Sequence, residues 1–154
     1  MTTSVMLALH LLSAVIWVGG MFFAYMALRP VAASQLEPPV RLQLWVGVFS
    51  RFFPWVWISI ILLVSSGYWM LFNVFGGMGS APVYVHIMNT IGIIMILIYL
   101  HVFFAPFRRL KQAVSAQDWP LGGSKLAQIR VLVGINTLLG LIVIAIAGAG
   151  RYLA

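Results

Sequence analysis

Apolar positions in this chain come in long unbroken runs rather than alternating with polar ones. A helix needs roughly 20 mostly apolar residues to cross about 30 Å of hydrocarbon. Four segments meet that length. They run from about Val5 to Leu28, Pro54 to Phe75, Val83 to Phe107 and Val131 to Gly150. No charged residue lies between Arg51 and Arg108, so the second and third spans and their connection carry no charge. Lipid offers the backbone no hydrogen-bond partner, so such runs must be helical. The expected fold is all-α: an integral membrane four-helix bundle forming a single transmembrane domain over residues 1–154. The first span has no basic stretch before it and is too long for a signal-peptide core, so it reads as a retained helix.

The connections add detail. Gly76, Gly77, Gly79 and Pro82 mark a turn between spans two and three. Pro54 suits the first turn of a helix. Leu44, Trp45, Val48, Phe49 and Phe52 recur at helical spacing before it. Two readings fit that stretch: a short interfacial helix, or a second span that starts early and tilts. Trp55, Trp57, Tyr68 and Trp69 stand toward the ends of span two, as interfacial anchors do.

Composition agrees with the pattern. Hydrophobic residues make up 63% and charged residues 7% of the 154 positions, which excludes a water-soluble domain and a disordered chain alike. A formal charge of +7 would suit nucleic acid on a soluble domain, but position decides its meaning. Arg29, Arg41 and Arg51 fall between spans one and two. Arg108, Arg109, Lys111, Lys125 and Arg130 fall between spans three and four. Of the nine basic residues, Arg151 alone lies elsewhere. The surplus is therefore a topology signal. Both termini are expected on the outer, periplasmic side and both basic connections in the cytoplasm. The expected partner is the lipid bilayer, with no nucleic acid.

Chemistry is confined to few groups. The chain has no cysteine, which removes thiolate sites. Glu37 and Asp118 lie in the connections, so no carboxylate relay crosses the membrane. No motif assigns a catalytic residue, and nothing here requires an enzyme. The ionisable side chains within the spans are His10, His86 and His101. Such groups are functional candidates by default. His10 lies about 8 Å into span one and His86 about 5 Å into span three, both from the outer end. They are the candidate metal or haem ligands. His101 falls near the inner end. Each histidine also has a plainer reading as a hydrogen-bond partner between helices.

Neighbouring residues are auxiliary candidates. Met6, His10, Ser13 and Trp17 share a face of span one, and His86, Asn89 and Thr90 share one of span three. The methionines, Met70 among them, read mainly as core or lipid-facing gap fillers. Met6, Met78 and Met88 lie near the outer end, where a soft Cu(I) site with His10 or His86 is permitted. Asn136, Thr137, Gly140, Ala147, Gly148 and Arg151 form a small and polar stripe on span four. Such a stripe allows close packing or leaves room for a flat cofactor. Arg151 is placed to meet a haem propionate or an anionic headgroup. Imidazole suits copper and haem iron alike, so copper and haem b both stay open as cofactors.

One stretch carries a family resemblance. His10 is followed by Trp17-Val18-Gly19-Gly20, and the span ends in Leu28-Arg29-Pro30. This resembles the membrane domain of the copper-resistance protein D (CopD) family, in its short stand-alone four-helix form. The resemblance implies a bacterial inner-membrane protein in copper uptake or tolerance, with a periplasmic metal carrier or a membrane complex as partner. More distantly the chain is similar to the HemJ type of protoporphyrinogen oxidase, which binds haem b and has a histidine in its first span. Here no lysine lies inside any span. The alternatives to copper handling are a haem b protein, for electron transfer or porphyrinogen oxidation, and an accessory subunit without cofactor.

Overall fold

The computed structural model describes residues 1–153. Every regular element is helical. In chain order they are α1 (Thr2–Phe23), a π-helical turn (Ala24–Leu28), α2 (Arg29–Gln35), α3 (Pro38–Asn73), α4 (Val83–Phe104), α5 (Pro106–Ser115), α6 (Trp119–Ala149) and a 3-10 turn (Gly150–Tyr152). Four helical stretches, Thr2–Gln35, Pro38–Asn73, Val83–Ser115 and Trp119–Tyr152, are long and apolar enough to cross a membrane. The chain is thus a multi-pass membrane protein, as the apolar runs require.

Three of the four spans outrun their expected limits at the end that carries the basic segments. α3 begins at Pro38 and has 36 residues, or about 54 Å at 1.5 Å per residue. Pro54 therefore lies inside a helix, not at its start. The early-starting second span is the structure, and there is no separate interfacial helix over 40–52. The true start is Pro38-Pro39, which satisfies the same preference for proline in a first turn. The fourth span likewise starts at Trp119 rather than Val131. The Asp118 carboxylate accepts from the Leu121 amide at 3.2 Å and caps that start. The third span stops at Phe104, short of Phe107. Ala105 breaks it, and α5 continues as a separate amphipathic helix. Leu110 and Ala113 of α5 are buried, while Arg108, Arg109 and Lys111 are exposed. Hydropathy falls at these points, but helical backbone does not.

The first span contains a register shift with a local cause. Arg29 N–H bonds to Ala24 O, five residues back. In that register Tyr25 O would accept from residue 30, but Pro30 has no N–H. The Arg29 side chain takes the place of that donor, its Nε reaching Tyr25 O at 3.1 Å. The guanidinium also lies 4.6 Å from the Tyr25 ring centroid.

α1 packs extensively against α3, and α6 against both α4 and α5. An aromatic cluster joins the two groups. Phe53 lies 4.8 Å from Phe107 and 5.4 Å from Tyr99, ring centre to ring centre, in edge-to-face arrangements. Tyr99 also donates its hydroxyl proton to Phe53 O at 3.2 Å. On the α4–α6 side, buried Asn136 donates from Nδ2 to Met95 O at 3.1 Å. Gly140 is a point of close approach. A Cβ there would lie 2.7 Å from Val18 and 3.2 Å from Met95. The span-four stripe therefore serves packing at Gly140 and leaves no slot for a flat cofactor there.

Gly19 and Gly140 should respond oppositely to alanine. Gly19 has no neighbour within 4 Å of a Cβ, so Gly19→Ala gains roughly 0.5–1 kcal/mol from helix entropy. Gly140→Ala drives a methyl into β-branched Val18, which has little rotamer freedom, and loses about 1–3 kcal/mol. Unfolding in detergent, followed by circular dichroism, measures both.

Candidate functional site

His10 is placed by α3. Its half-buried ring lies against Ser66 and Gly67. A Cβ on Gly67 would sit 3.1 Å from His10 Cε1, so the ring has settled against bare backbone. His10 Nδ1 and Ser66 Oγ are 2.9 Å apart. Ser66 is buried, and its hydroxyl also meets Leu62 O at 2.5 Å. A hydroxyl has one proton, and the carbonyl can only accept it. With that proton on Leu62 O, at the shorter of the two distances, Nδ1–H is the group that donates to Ser66 Oγ. That tautomer leaves Nε2 as a bare lone pair. A second-shell donor bond of this kind orients metal-ligating histidines and raises their basicity.

Register places two methionines one helical turn from the level of this ring. α1 and α3 are antiparallel, with Gly20 against Phe52 and His10 against Ser66. Met6 is one turn before His10, and Met70 is one turn after Ser66. The two fall at the same level, toward the end that carries the termini, and both are half-buried. Sequence reasoning placed Met6 here but read Met70 as filler. The available signal was its four-residue step from Ser66.

The other candidates disperse. His86 is half-buried on α4. Tyr68 donates to Asn89 Oδ1 at 2.7 Å, which fixes α4 against α3. His86 is one turn beyond Asn89 and so stands about 5 Å further toward the termini than His10. The hydrogen bonds tie His10 to α3 and do not join it to His86. Asn89 is engaged with Tyr68. Met88 is half-buried one turn inward of Tyr84, and the Tyr84 ring closes over Gly150. His101 is exposed near the far end of α4. Arg151 is exposed, with its guanidinium 5.3 Å from the Tyr152 ring. Among the described residues, no three His, Cys, Asp or Glu side chains gather into one group.

A family model for copper resistance protein D (CopD) matches residues 46–149. The chain belongs to the CopD family. Comparison with curated proteins and with solved structures returned no match. The matched stretch covers spans two to four and includes Ser66, Met70 and His86, whereas the His10 and Trp-x-Gly-Gly run of the first span precedes it. The family relation suggests copper as the metal.

The donors near His10 fit that suggestion: one neutral imidazole and two thioethers are the soft ligands that Cu(I) takes. The cavity bounded by Trp17, Tyr99 and Asn136 in the bundle interior, which neither His10 nor His86 lines, holds about 20 Å³.

Ser66→Ala removes the acceptor for Nδ1–H and an interhelical bond worth about 0.6–1.7 kcal/mol in membranes. Its neighbour Ser65 is exposed, so Ser65→Ala should leave stability unchanged. Parallel detergent unfolding of the two variants checks this.

Proposed function

We propose that this CopD-family protein handles copper in a bacterial inner membrane, holding Cu(I) at the periplasmic end of the bundle. His10 Nε2 is the principal ligand, and Met6 and Met70 supply thioether sulfur. His86, one turn nearer the surface on α4, is the second imidazole and receives or releases the ion. Copper here is cargo. The distribution of Lys and Arg supports the orientation, with both termini and this site outside. The observation that carries the reading is the 2.9 Å contact of His10 Nδ1 with Ser66 Oγ, which turns Nδ1 to α3, with Met6 and Met70 each one turn along their helices.

This arrangement suits transient holding. Soft ligands bind Cu(I) without stripping it from a carrier by charge, since no carboxylate stands in the spans. No comparable cluster stands at the opposite end, where His101 is exposed and separate. The protein therefore acts as a receiving and delivering site for a periplasmic metal carrier or membrane partner.

The test is Cu(I) competition against a coloured chelator, using the detergent-purified chain. The expected result is one bound ion, lost in His10→Ala and weakened in Met70→Leu. Ser66→Ala keeps the ligands but releases the ring, and affinity should fall about 10- to 100-fold. Wild-type affinity in His10→Ala sinks the site. A Soret band that disappears in His10→Ala overturns the copper reading in favour of haem.

A further inference from the structure

A second site lies at the opposite end of the bundle. There the π-helical turn, α2, α3 and α6 line a cavity of about 230 Å³. Three arginines line it, Arg29, Arg41 and Arg130, and neither acid of the chain, Glu37 or Asp118, is among its walls. The remaining walls are largely apolar and include Trp45, Phe49 and Trp119.

Packing brings these arginines to one level. The Tyr25 ring closes over Gly134, where a Cβ would lie 2.9 Å from it. Arg29 is one turn beyond Tyr25, and Arg130 is one turn before Gly134 on the antiparallel α6. Arg41 comes from α3 and reaches across to the end of α2, donating from Nη2 to Leu36 O at 2.9 Å and to Ala33 O at 3.3 Å. Its Nε is buried and has no hydrogen-bond partner. A buried guanidinium nitrogen without an acceptor costs free energy, and three cations facing one space repel each other. An anion in that space answers both.

Depth narrows the class of anion. Arg29 is 27 residues from Thr2, or about 40 Å of helix. A bilayer with its headgroups spans about 40–45 Å. The cavity therefore stands at headgroup level in the leaflet that borders the basic segments. It is smaller than the roughly 300–1,000 Å³ of pockets that enclose a whole small molecule. It has room for a phosphate head, with the acyl chains outside along the lipid-facing helices.

We propose that this cavity binds the phosphate headgroup of an anionic phospholipid, clamped by Arg29, Arg41 and Arg130. Guanidinium forks match phosphate oxygens, and Arg41 Nε supplies a donor that the protein itself leaves unused. The aromatic walls shield the ion pairs from water. The lipid would also tie the α2–α3 corner to α6, and so stiffen the end of the bundle that the copper-binding residues do not touch.

Native mass spectrometry and thermal unfolding of the full chain test this with phosphatidylglycerol, phosphatidylcholine and inorganic phosphate. Phosphatidylglycerol should stay bound and raise the midpoint, while the other two should not. Arg130 is exposed at the rim, so its variants should fold. Arg130→Gln should weaken phosphatidylglycerol binding about fivefold, and Arg130→Lys should restore part of it. Arg41→Gln removes the clamp's buried member and tests it directly, with Arg130→Gln as the safeguard if the α2–α3 corner does not form. Equal binding of phosphatidylcholine, or unchanged affinity in Arg130→Gln, overturns the proposal. Equal stabilisation by inorganic phosphate would make the ligand a soluble anion and overturn the lipid assignment.

Discussion

Apolar burial cannot hold this bundle together. Lipid tails are as apolar as the helices, so association depends on close packing and on a few polar contacts between helices. The structure meets that constraint by setting bulky side chains on bare backbone. Val18 and Met95 converge on Gly140, the Tyr25 ring covers Gly134, and Tyr84 covers Gly150. Asn136, Ser66, Tyr68 and Tyr99 then fix register by hydrogen bonds across helix pairs. Both ends inherit their geometry from this scheme. His10 sits where Gly67 leaves room for its ring, and Arg29 and Arg130 are level because Tyr25 and Gly134 are in contact.

The proline and arginine of the first span act together in a way that neither residue type explains alone. Pro30 deprives Tyr25 O of a backbone donor, and the preceding arginine supplies one from its side chain. The same guanidinium remains on the wall of the arginine-lined cavity. A helix irregularity thus positions a charge on that wall.

The sequence was most informative where hydropathy and backbone chemistry agree. The third span begins at Val83 after a glycine-rich turn, and Gly76 and Gly77 adopt the positive φ that such a turn needs. The fourth span ends at Ala149, beside the expected Gly150. At the other end the helices continue into polar sequence, because capping and tertiary support, not hydropathy, decide where a helix stops. Pro54 misled for a definite reason: proline favours helix starts, but an α-helix in a membrane can also carry it inside. The candidate site was legible as far as His10 and Met6, which share a helix face. Ser66 and Met70 belong to another helix, and only the α1–α3 register brings them near. The arginines were legible as charges but not as neighbours, since Arg41 approaches the other two only through the fold.

The extra length of the helices is all on one side. Where α2–α3 and α5–α6 turn, the protein projects as paired helices beyond its apolar zone, while the other end has only residues 74–82 and the chain termini to rise above the lipid. The molecule is shaped like a nail rather than a dumbbell, with its bulk at the basic end and a nearly flush tip. A copper ion held there, as proposed, would be exchanged beside lipid headgroups rather than within a projecting lobe of the described helices.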